Sequence, residues 1–305
     1  MERLTELSTI RRAYAKQIVA AARVTDPRIE AVFSTTPREE FLGPGPWQVF
    51  RLPGVYEPTP DADPVHLYAD QLVGLVADRG INNGQPSLHA LLLGIAGIQE
   101  GEHVVHVGAG TGYYSAMMAQ LAGPTGRVTA IEFDPGLAAR ARECLASYPT
   151  VHVLEGDGTA LPIDAADVIY VNAGMTRPAA TWLDALRNEG RLLLPLTTDQ
   201  NIRAFSPTTF DAQKVVRSGA FFLIRRRDGG YSARYLLPTG IIPAEGARDP
   251  ASEAALALAF ARGGAHMVTR LVRGSAPEDK CWLRGDGWCL VRDLPIATSQ
   301  SKQGA

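Results

Sequence analysis

Short apolar runs rich in β-branched residues alternate with helix-compatible segments from residue 103 to residue 196. Parallel strands need long crossovers, usually helices, so this alternation predicts an α/β fold with a mostly parallel sheet and helices on both faces. The turn Asp228-Gly229-Gly230 joins two further runs and predicts an antiparallel hairpin at the sheet edge. The pattern predicts seven strands, at 103–107, 127–132, 151–154, 167–171, 191–196, about 215–226 and 230–237, with helices at 113–122, 135–147 and 178–187.

The segments on either side of this alternation have a different character. Residues 4–33 show helical spacing of apolar side chains and predict two helices, whereas the Pro- and Gly-rich stretch 37–64 predicts an irregular, largely extended chain. A helix from Pro86 to Ile98 is predicted because proline is favoured in a first helical turn. The tail from residue 246 predicts one helix at 251–262 and a hairpin around Trp282–Leu290.

Composition and charge exclude several classes of protein. The formal net charge of −2 indicates no broad basic surface, so we expect no nucleic-acid partner. The longest nearly apolar run, Leu88–Ile98, has 11 residues, whereas a membrane-spanning helix needs about 20, so we expect no membrane partner. The N-terminus carries mixed charges, unlike a signal peptide.

The three cysteines, Cys144, Cys281 and Cys289, have no C-x-x-C spacing, which argues against a zinc site and a disulfide framework. We therefore expect free thiols, no metal and a cytoplasmic protein, since disulfides are rare in reducing compartments. Cys281 and Cys289 can nevertheless face each other across the last predicted hairpin, so a disulfide between them is the alternative.

A glycine-rich loop, Gly108-Ala109-Gly110-Thr111-Gly112-Tyr113, follows the first predicted strand and opens the next helix. Glycines let a backbone turn sharply and approach a ligand closely. Glu132 ends the second strand, where a carboxylate can accept from both ribose hydroxyls. Asp157 follows the third strand, where it can accept from an adenine amino group.

This combination predicts an S-adenosylmethionine site, because the spacing is G-x-G-x-G and the sheet ends in a hairpin, unlike a dinucleotide-binding dehydrogenase. The glycine loop, the two strand-end carboxylates and their neighbours define the predicted cofactor ligands. They are Gly108, Ala109, Gly110, Gly112, Tyr113, Glu132, Phe133, Asp157, Gly158 and Asn172.

Several stretches resemble the successive motifs of the protein-L-isoaspartate O-methyltransferases. They are DPRIEAVFSTTPREEFL, VVHVGAGTGYYSAMMAQL, VTAIEFDPGLAARARECL, LEGDG and ADVIYVNAG with LDALRNEGRLLLPL. The resemblance covers roughly residues 12–243 and leaves a C-terminal extension of about 60 residues. It implies a Rossmann-like class I methyltransferase fold. It also implies methylation of the carboxylate of damaged aspartyl residues in proteins and peptides, with S-adenosylhomocysteine as the product.

The chain departs from the family pattern in the substrate loop. The family's loop reads Thr-Ile-Ser-x-Pro, and alignment on Pro86 and His89-Ala90 places Gly84 where the serine belongs. A carboxylate is already ionised at pH 7, so the acceptor needs donors that hold it and no base. Asn82, Asn83 and Gln85 can supply amide donors in place of the hydroxyl. The alternative is that Asn82-Asn83-Gly84 is only a turn that caps the Pro86 helix.

The candidate catalytic residues are Asn83, Gln85, His89 and Asn172. His89 is either a packing residue on its helix face or a base for a neutral acceptor. Asn172 follows the fourth strand, on the side of the transferred methyl. The stretch Asn172-Ala173-Gly174-Met175 lacks the Asn/Asp-Pro-Pro-Tyr of amino-methyltransferases, which argues against adenine or glutamine N-methylation.

Three functions are compatible with these residues: an isoaspartyl carboxyl methyltransferase, a methyltransferase redirected to another peptide or small molecule, and an inactive cofactor-binding homologue. A drifted repair enzyme should gain repair activity from Gly84→Ser. We predict N-terminal helices and a substrate-side segment at 1–80, an S-adenosylmethionine-binding methyltransferase domain at 81–245 and the extension at 246–305. The pattern carries no information on oligomeric state.

Overall fold

The computed structural model describes residues 2–51, 55–199, 218–274 and 276–292. Within these residues the seven α-helices are α1 (Glu2–Ala22), α2 (Pro27–Thr35), α3 (Pro86–Ala96), α4 (Tyr113–Ala122), α5 (Pro135–Cys144), α6 (Ala180–Ala185) and α7 (Pro250–Ala261). The strands before the glycine-rich loop are β1 (Gln48–Arg51), β2 (Val55–Pro58), β3 (Gly74–Val76), β4 (Ile81–Asn82) and β5 (His103–Val107). The strands after it are β6 (Arg127–Glu132), β7 (Val151–Glu155), β8 (Ala166–Val171), β9 (Leu186–Thr197), β10 (Gly219–Arg227), β11 (Gly230–Pro238), β12 (Val268–Arg273), β13 (Cys281–Gly285) and β14 (Trp288–Arg292).

One large sheet contains ten strands in the order β13-β14-β12-β11-β10-β9-β8-β5-β6-β7. The pairings from β9 to β7 are parallel, and those from β9 to β13 are antiparallel. The predicted α/β fold with a parallel sheet and an appended antiparallel hairpin is therefore confirmed. Strand β5 pairs with β6 on one side and with β8 on the other, so the order in which strands are added to the sheet reverses at β5. Open α/β sheets bind their ligands at such a point.

The predicted hairpin, β10 and β11, does not lie at the sheet edge. Strand β12 of the C-terminal extension pairs with β11, matching Leu271 with Tyr231 and Arg270 with Ser232, and β14 and β13 follow. The turn Asp228-Gly229-Gly230 determines how β10 pairs with β11, but it carries no information about what adds to the outer side of β11. The described sheet consequently has ten strands where seven were expected.

Other differences from the predicted elements are local. The stretch 37–64, expected to be irregular, contains the short antiparallel pair β1 and β2. Strand β9 begins at Leu186, earlier than predicted, because Ala166 of β8 pairs with Leu186. This early start shortens α6, which ends at Ala185. The predicted strand residues 215–217 lie outside the described residues.

The expectation of three free thiols is wrong for two of the cysteines. Cys281 and Cys289 form a disulfide with a Cα–Cα distance of 5.9 Å, and Cys144 is free. The β13–β14 register pairs Cys281 with Val291 and Cys289 with Arg284, so the disulfide joins residues that are not directly opposite each other, and its Cα separation lies within the usual disulfide range. The structure thus decides between free thiols and a disulfide for these two cysteines, which their spacing in the sequence left open.

Helices cover both faces of the large sheet. Successive strand residues point to opposite faces, so the buried side chains form two separate clusters. Val104 and Tyr170 pack in a buried cluster with Tyr14, Leu93 and Met117 from α1, α3 and α4. On the other face, a second cluster joins the sheet to α6 and α7 and includes Val105, Ile169, Trp182, Leu256 and Trp282. No helix in the described ranges combines the length and apolarity that a membrane crossing requires.

A buried arginine fastens α3 to the sheet. Arg191 of β9 donates to the carbonyl oxygens of Ala96 and Gly97 at the end of α3, at 2.5 and 2.8 Å, and pairs with Glu102 at 2.6 Å. Unpaired carbonyl groups at a helix C-terminus need donors, and a guanidinium supplies several in a fixed geometry. Helix α3, which carries His89, therefore has a defined position against the parallel half of the sheet.

Candidate cofactor and acceptor site

The glycine-rich loop makes a sharp turn between β5 and α4. Gly108, Gly110 and Gly112 have φ angles of +77°, +58° and +94°, a region that side-chain-bearing residues rarely adopt. A Cβ on Gly112 would lie 2.5 Å from a methyl carbon of Leu145, so the turn also packs too tightly for a larger residue. The loop exposes backbone at the carboxyl end of β5, where a ligand can approach closely.

Glu132 sits at the end of β6 with only 8% of its surface exposed. Its Oε2 accepts from the Gly110 backbone N–H at 2.7 Å, and its Oε1 accepts from that of Asp134 at 3.0 Å. Burial raises the pKa of this carboxyl, while the two backbone donors lower it. The contacts hold the carboxylate in one orientation beside the glycine loop and leave further lone pairs for a ligand.

The third strand-end loop supplies Asp157 and Gly158. The Oδ1 of Asp157 accepts from both the backbone N–H and the hydroxyl of Thr159, at 2.8 and 2.7 Å. The Gly158 carbonyl oxygen accepts from the Trp182 indole at 2.8 Å. The Oδ1 of Asp157 therefore stabilises a local turn, and the same half-buried side chain lines the cavity described next.

The three strand-end loops line one open cavity, which holds about 990 Å³ of empty space when the solvent in its mouth is included. Gly112 is the one predicted ligand outside the lining; it shapes the turn from behind. The predicted residues that line the cavity are Gly108, Ala109, Gly110, Tyr113, Glu132, Phe133, Asp157, Gly158, Asn172 and, from the acceptor side, Asn83.

A wall of this cavity comes from residues that sequence reasoning missed. The segment 242–247, after β11, forms one part of it through all its residues except Gly246, and Leu75 and Arg79 form another. Backbone hydrogen bonds with Gly174 anchor the 242–247 segment: the Gly174 N–H donates to Ile242 at 2.7 Å, and the Ala244 N–H donates to Gly174 at 2.9 Å. The segment reads as an ordinary Pro- and Gly-containing loop, so no local pattern marks it as part of a site.

Arg79 bridges two sides of the cavity mouth. Its Nη1 contacts Asp134 Oδ2 at 2.5 Å, and its Nη2 contacts Glu245 Oε1 at 2.7 Å. All three residues line the cavity, and they come from three separate segments of the chain. We call this trio the Arg79 clasp; it ties the 242–247 wall to the loop after β6.

Replacing Arg79 by glutamine should increase the dissociation rate of the cofactor by about three- to tenfold, since exposed ion pairs are individually weak but two of them are lost together. Salt should produce part of the same increase in the unmutated protein, because screening weakens exposed pairs. Stopped-flow release of a fluorescent cofactor analogue measures both effects. Arg142→Gln, which breaks an exposed pair with Glu155 away from the cavity, is the control. Equal release rates for all three proteins would contradict a role for the clasp.

The substrate loop places its three amide side chains differently. Asn82 Oδ1 accepts from the Gly84 N–H at 2.9 Å, and its Nδ2 donates to Tyr56 and Gly80, so Asn82 forms the predicted turn. Gln85 is exposed and donates to Asp70 at 3.2 Å. These two amides are therefore engaged within the loop and the segment before it.

Asn83 is buried and has a different arrangement. Its Oδ1 accepts from the Val73 N–H at 3.0 Å and from Arg38 Nη2 at 3.3 Å, which fixes the orientation of the amide. Its Nδ2 is buried and has no hydrogen-bond partner among the described residues, although Asn83 lines the large cavity. An unpaired buried donor is costly, so this atom is suited to receive a ligand oxygen.

His89 is 1% exposed and lies on the site side of α3. Its ring stacks on Tyr114 with 3.6 Å between ring centroids, and its Nδ1 is 2.8 Å from the Tyr170 hydroxyl. The ring therefore packs on its helix face, as one of the two alternatives for His89 expects, and its Nδ1 also lies within hydrogen-bond distance of Tyr170. Tyr170 was missed because it lies within an apolar strand and reads as core.

A second cavity adjoins the first on the acceptor side. Its lining includes Gly84, Gln85 and His89, together with apolar residues such as Leu88 and Leu237. Asn82, Asn172 and Ile242 line both cavities, so the two are neighbours at the carboxyl end of β8. The structure thus brings three of the four candidate catalytic residues to the second cavity and Asn83 to the first.

The chain matches the family model described as protein-L-isoaspartate(D-aspartate) O-methyltransferase over residues 12–219. It is similar to a protein-L-isoaspartate O-methyltransferase of Ignicoccus hospitalis, with 27% identity over 237 residues that cover 76% of this chain and 96% of that protein. It is also similar to one of Rhodopseudomonas palustris, with 30% identity over 236 residues, 75% of this chain and 90% of the relative.

Two solved structures are similar to this chain in fold. One described as a protein-L-isoaspartate O-methyltransferase superposes with a TM-score of 0.60 at 26% identity, covering 77% of this chain and 66% of that one. A Plasmodium falciparum protein, solved in complex with S-adenosyl-L-homocysteine, superposes with a TM-score of 0.57 over 76% of this chain and 97% of that one. Its identity of 15% means that this second likeness concerns the fold alone.

Proposed function

The chain belongs to the protein-L-isoaspartate(D-aspartate) O-methyltransferase family, and we propose that it methylates the isoaspartyl carboxylate of a protein or peptide. The predicted Rossmann-like class I methyltransferase fold and the predicted cofactor, S-adenosylmethionine, are confirmed. The observation that carries the proposal is the large cavity, in which the glycine loop, Glu132 and Asp157 meet the acceptor-side Asn83.

We assign the cofactor-side residues by their chemistry. The oriented Glu132 carboxylate accepts from ribose hydroxyls, and Asp157 accepts from the adenine amino group. Phe133, which is 42% exposed at the cavity, offers an apolar face to the adenine. When bound, S-adenosylmethionine supplies a methyl group: its carbon–sulfur bond breaks as a carbon–oxygen bond forms, and the sulfur keeps the electron pair.

On the acceptor side the chain has to hold a carboxylate in line with the methyl group and keep water away. Much of the rate of such a displacement comes from positioning, and an ionised carboxylate needs no base. Asn83 Nδ2 is a buried donor available for this purpose, and Asn172 lies where the two cavities meet. Asn82 and Gln85 act in this proposal by shaping the loop.

A second candidate function is methylation of a different peptide or a small molecule by the same fold. The observation that favours it is Gly84, which removes the hydroxyl that the resemblance leads one to expect at the acceptor. The apolar side chains around the second cavity, Leu88 and Leu237 among them, are compatible with such an acceptor.

Transfer of labelled methyl from S-adenosylmethionine to an isoaspartyl peptide tests the proposal. We expect a base-labile ester on that peptide and none on the matched peptide with an ordinary aspartyl residue. Transfer that occurs only to other acceptors would replace the proposal with the second candidate. Cofactor binding by calorimetry without transfer to any acceptor in a wide panel would indicate an inactive homologue.

Protein or peptide substrates are the expected partners of a family member. A cytoplasmic location stays a prediction. The Cys281–Cys289 disulfide weakens the argument from cysteine usage that supported it, because disulfides are rare in reducing compartments.

A further inference from the structure

The imidazole of His89 occupies the space that a side chain at position 84 would need. Gly84 has a φ of +77°, and a Cβ built on it would lie 2.2 Å from His89 Nε2 and 2.8 Å from Cδ2. Real Cβ atoms essentially never come so close to another heavy atom. In this structure the space beside position 84 is therefore filled by the His89 ring, and its Nε2 is the polar atom that lies next to this part of the loop.

That Nε2 is buried and has no hydrogen-bond partner in the described chain. Leaving a buried polar atom unpaired costs about 1–3 kcal/mol, which a fold tolerates mainly where a ligand supplies the partner. His89 and Gly84 both line the second cavity, and Gly84 covers Nε2 with backbone alone. A glycine at this point can adjust its backbone and let an acceptor group reach the nitrogen.

Tyr170 determines which ring nitrogen carries the proton. Its hydroxyl is 2.8 Å from His89 Nδ1, and the described residues offer that hydroxyl no other partner. The phenol has one proton to donate, so Nδ1 accepts it and the imidazole proton resides on Nε2. The opposite tautomer would leave the buried hydroxyl proton without an acceptor.

The surroundings keep this ring neutral. Burial lowers the pKa of His89 well below its ordinary value, and the nearby Arg38 guanidinium lowers it further. A neutral imidazole with its proton on Nε2 is a hydrogen-bond donor towards the acceptor side and cannot take a proton there. This state suits an acceptor that is already ionised and does not suit an amine or alcohol that must lose a proton.

We propose that His89 donates its Nε2–H to the acceptor carboxylate and so replaces the serine hydroxyl of the family's substrate loop; this inference rests on the proposed function. His89 is then an acceptor-binding residue held by Tyr170 and Tyr114. With the backbone that this chain adopts at position 84, a Cβ would overlap Nε2, so Gly84 leaves the imidazole in this place.

Two variants of His89 distinguish the effect of losing the Nε2 donor from the effect of losing the packing of the imidazole ring. Asn at position 89 keeps a polar atom near Nδ1 for Tyr170 but loses the Nε2 donor, whereas Gln places an amide nitrogen near Nε2. We expect His89→Asn to lower kcat/KM for the isoaspartyl peptide by about 10- to 30-fold, as for the loss of one hydrogen bond to a charged group. His89→Gln should retain activity within about threefold, and cofactor affinity should stay within about twofold in both.

Three results would overturn the inference. One is unchanged kcat/KM in His89→Asn. Another is an equal loss in both variants together with a lower melting temperature, which indicates packing alone. The third is a nitrogen-15 NMR spectrum of the unmutated protein that places the imidazole proton on Nδ1. Tyr170→Phe serves if the His89 variants fail to fold, because it should redistribute that proton and lower the rate while the ring remains in place.

Failure of the proposed function has a different signature. If the unmutated protein does not methylate isoaspartyl peptides, that assignment falls. The nitrogen-15 spectrum, and the ratio of the two His89 variants on whichever carboxylate acceptor is found, still test the donor role. A protonated Nε2 supports the inference in that case, and a bare Nε2 overturns it.

Discussion

Replacing Glu132 by glutamine is expected to weaken S-adenosylmethionine binding by about 100-fold or more. The carboxylate accepts from two backbone N–H groups and, in the proposed complex, from two ribose hydroxyls. Hydrogen bonds to a charged group contribute about 1.5–3 kcal/mol each, and every ~1.4 kcal/mol is a factor of ten in affinity. A glutamine amide keeps the shape but directs N–H groups at one of these donors. Isothermal titration calorimetry measures the change.

The matched control is Glu155→Gln. Glu155 ends the neighbouring strand β7 directly opposite Glu132, but it is exposed and does not line the cavity. Its substitution should leave affinity within about twofold, as for other surface changes. Burial raises the pKa of Glu132, and only the ionised carboxylate accepts from both ribose hydroxyls. As the pH is lowered, the affinity for S-adenosylmethionine should therefore begin to fall at a higher pH than it would with a glutamate of ordinary pKa. Similar affinities for both variants would refute the assigned role of Glu132.

Gly84→Ala should lower both stability and methyl transfer more than Gly80→Ala, which is its matched control. Both glycines have left-handed backbones, with φ of +77° and +71°, but an added Cβ meets His89 at Gly84 and nothing within 4 Å at Gly80. Gly80→Ala should therefore cost only the backbone strain, about 1–2 kcal/mol. Gly84→Ala adds the overlap, typically a further 1–3 kcal/mol, and should lower methyl transfer at least as much as His89→Asn because it displaces the imidazole. Urea unfolding and the peptide assay measure the two effects.

This geometry reverses the expectation that Gly84→Ser would raise repair activity. A serine at this position collides with His89 before its hydroxyl can reach an acceptor. The double variant Gly84→Ala with His89→Ala removes the overlap, so it should recover part of the stability lost in Gly84→Ala. Equal stabilities of Gly84→Ala and Gly80→Ala would contradict the steric explanation.

The parallel half of the fold was predictable because its signals are local. Each strand from β5 to β8 is a short, largely apolar run followed by turn residues, and a carboxylate lies at or just after the ends of β6 and β7. The outer half depends on contacts between distant segments. Nothing near Tyr231 indicates that Leu271, 40 residues later, pairs beside it, and the hairpin turn fixes only one side of β11.

The site divides in the same way. Glu132 and Asp157 were predictable because parallel strands bring their carboxyl ends together whatever the loops contain. Arg79 and the 242–247 wall were not, since their roles come from ion pairs and backbone contacts across the cavity mouth. Tyr170 was hidden for another reason: a tyrosine in a buried strand reads as core until the partner of its hydroxyl is known.

The 242–247 wall has a further consequence for a chain with this C-terminal extension. The segment leaves the sheet at the end of β11, and the chain after it returns through α7 to β12, which pairs with β11. A loop held at both ends samples fewer conformations than a free tail, so less entropy is lost when it closes on a ligand. The extension, which begins beyond the residues matched by the family model, thereby pre-organises one wall of the cofactor pocket without lining most of it.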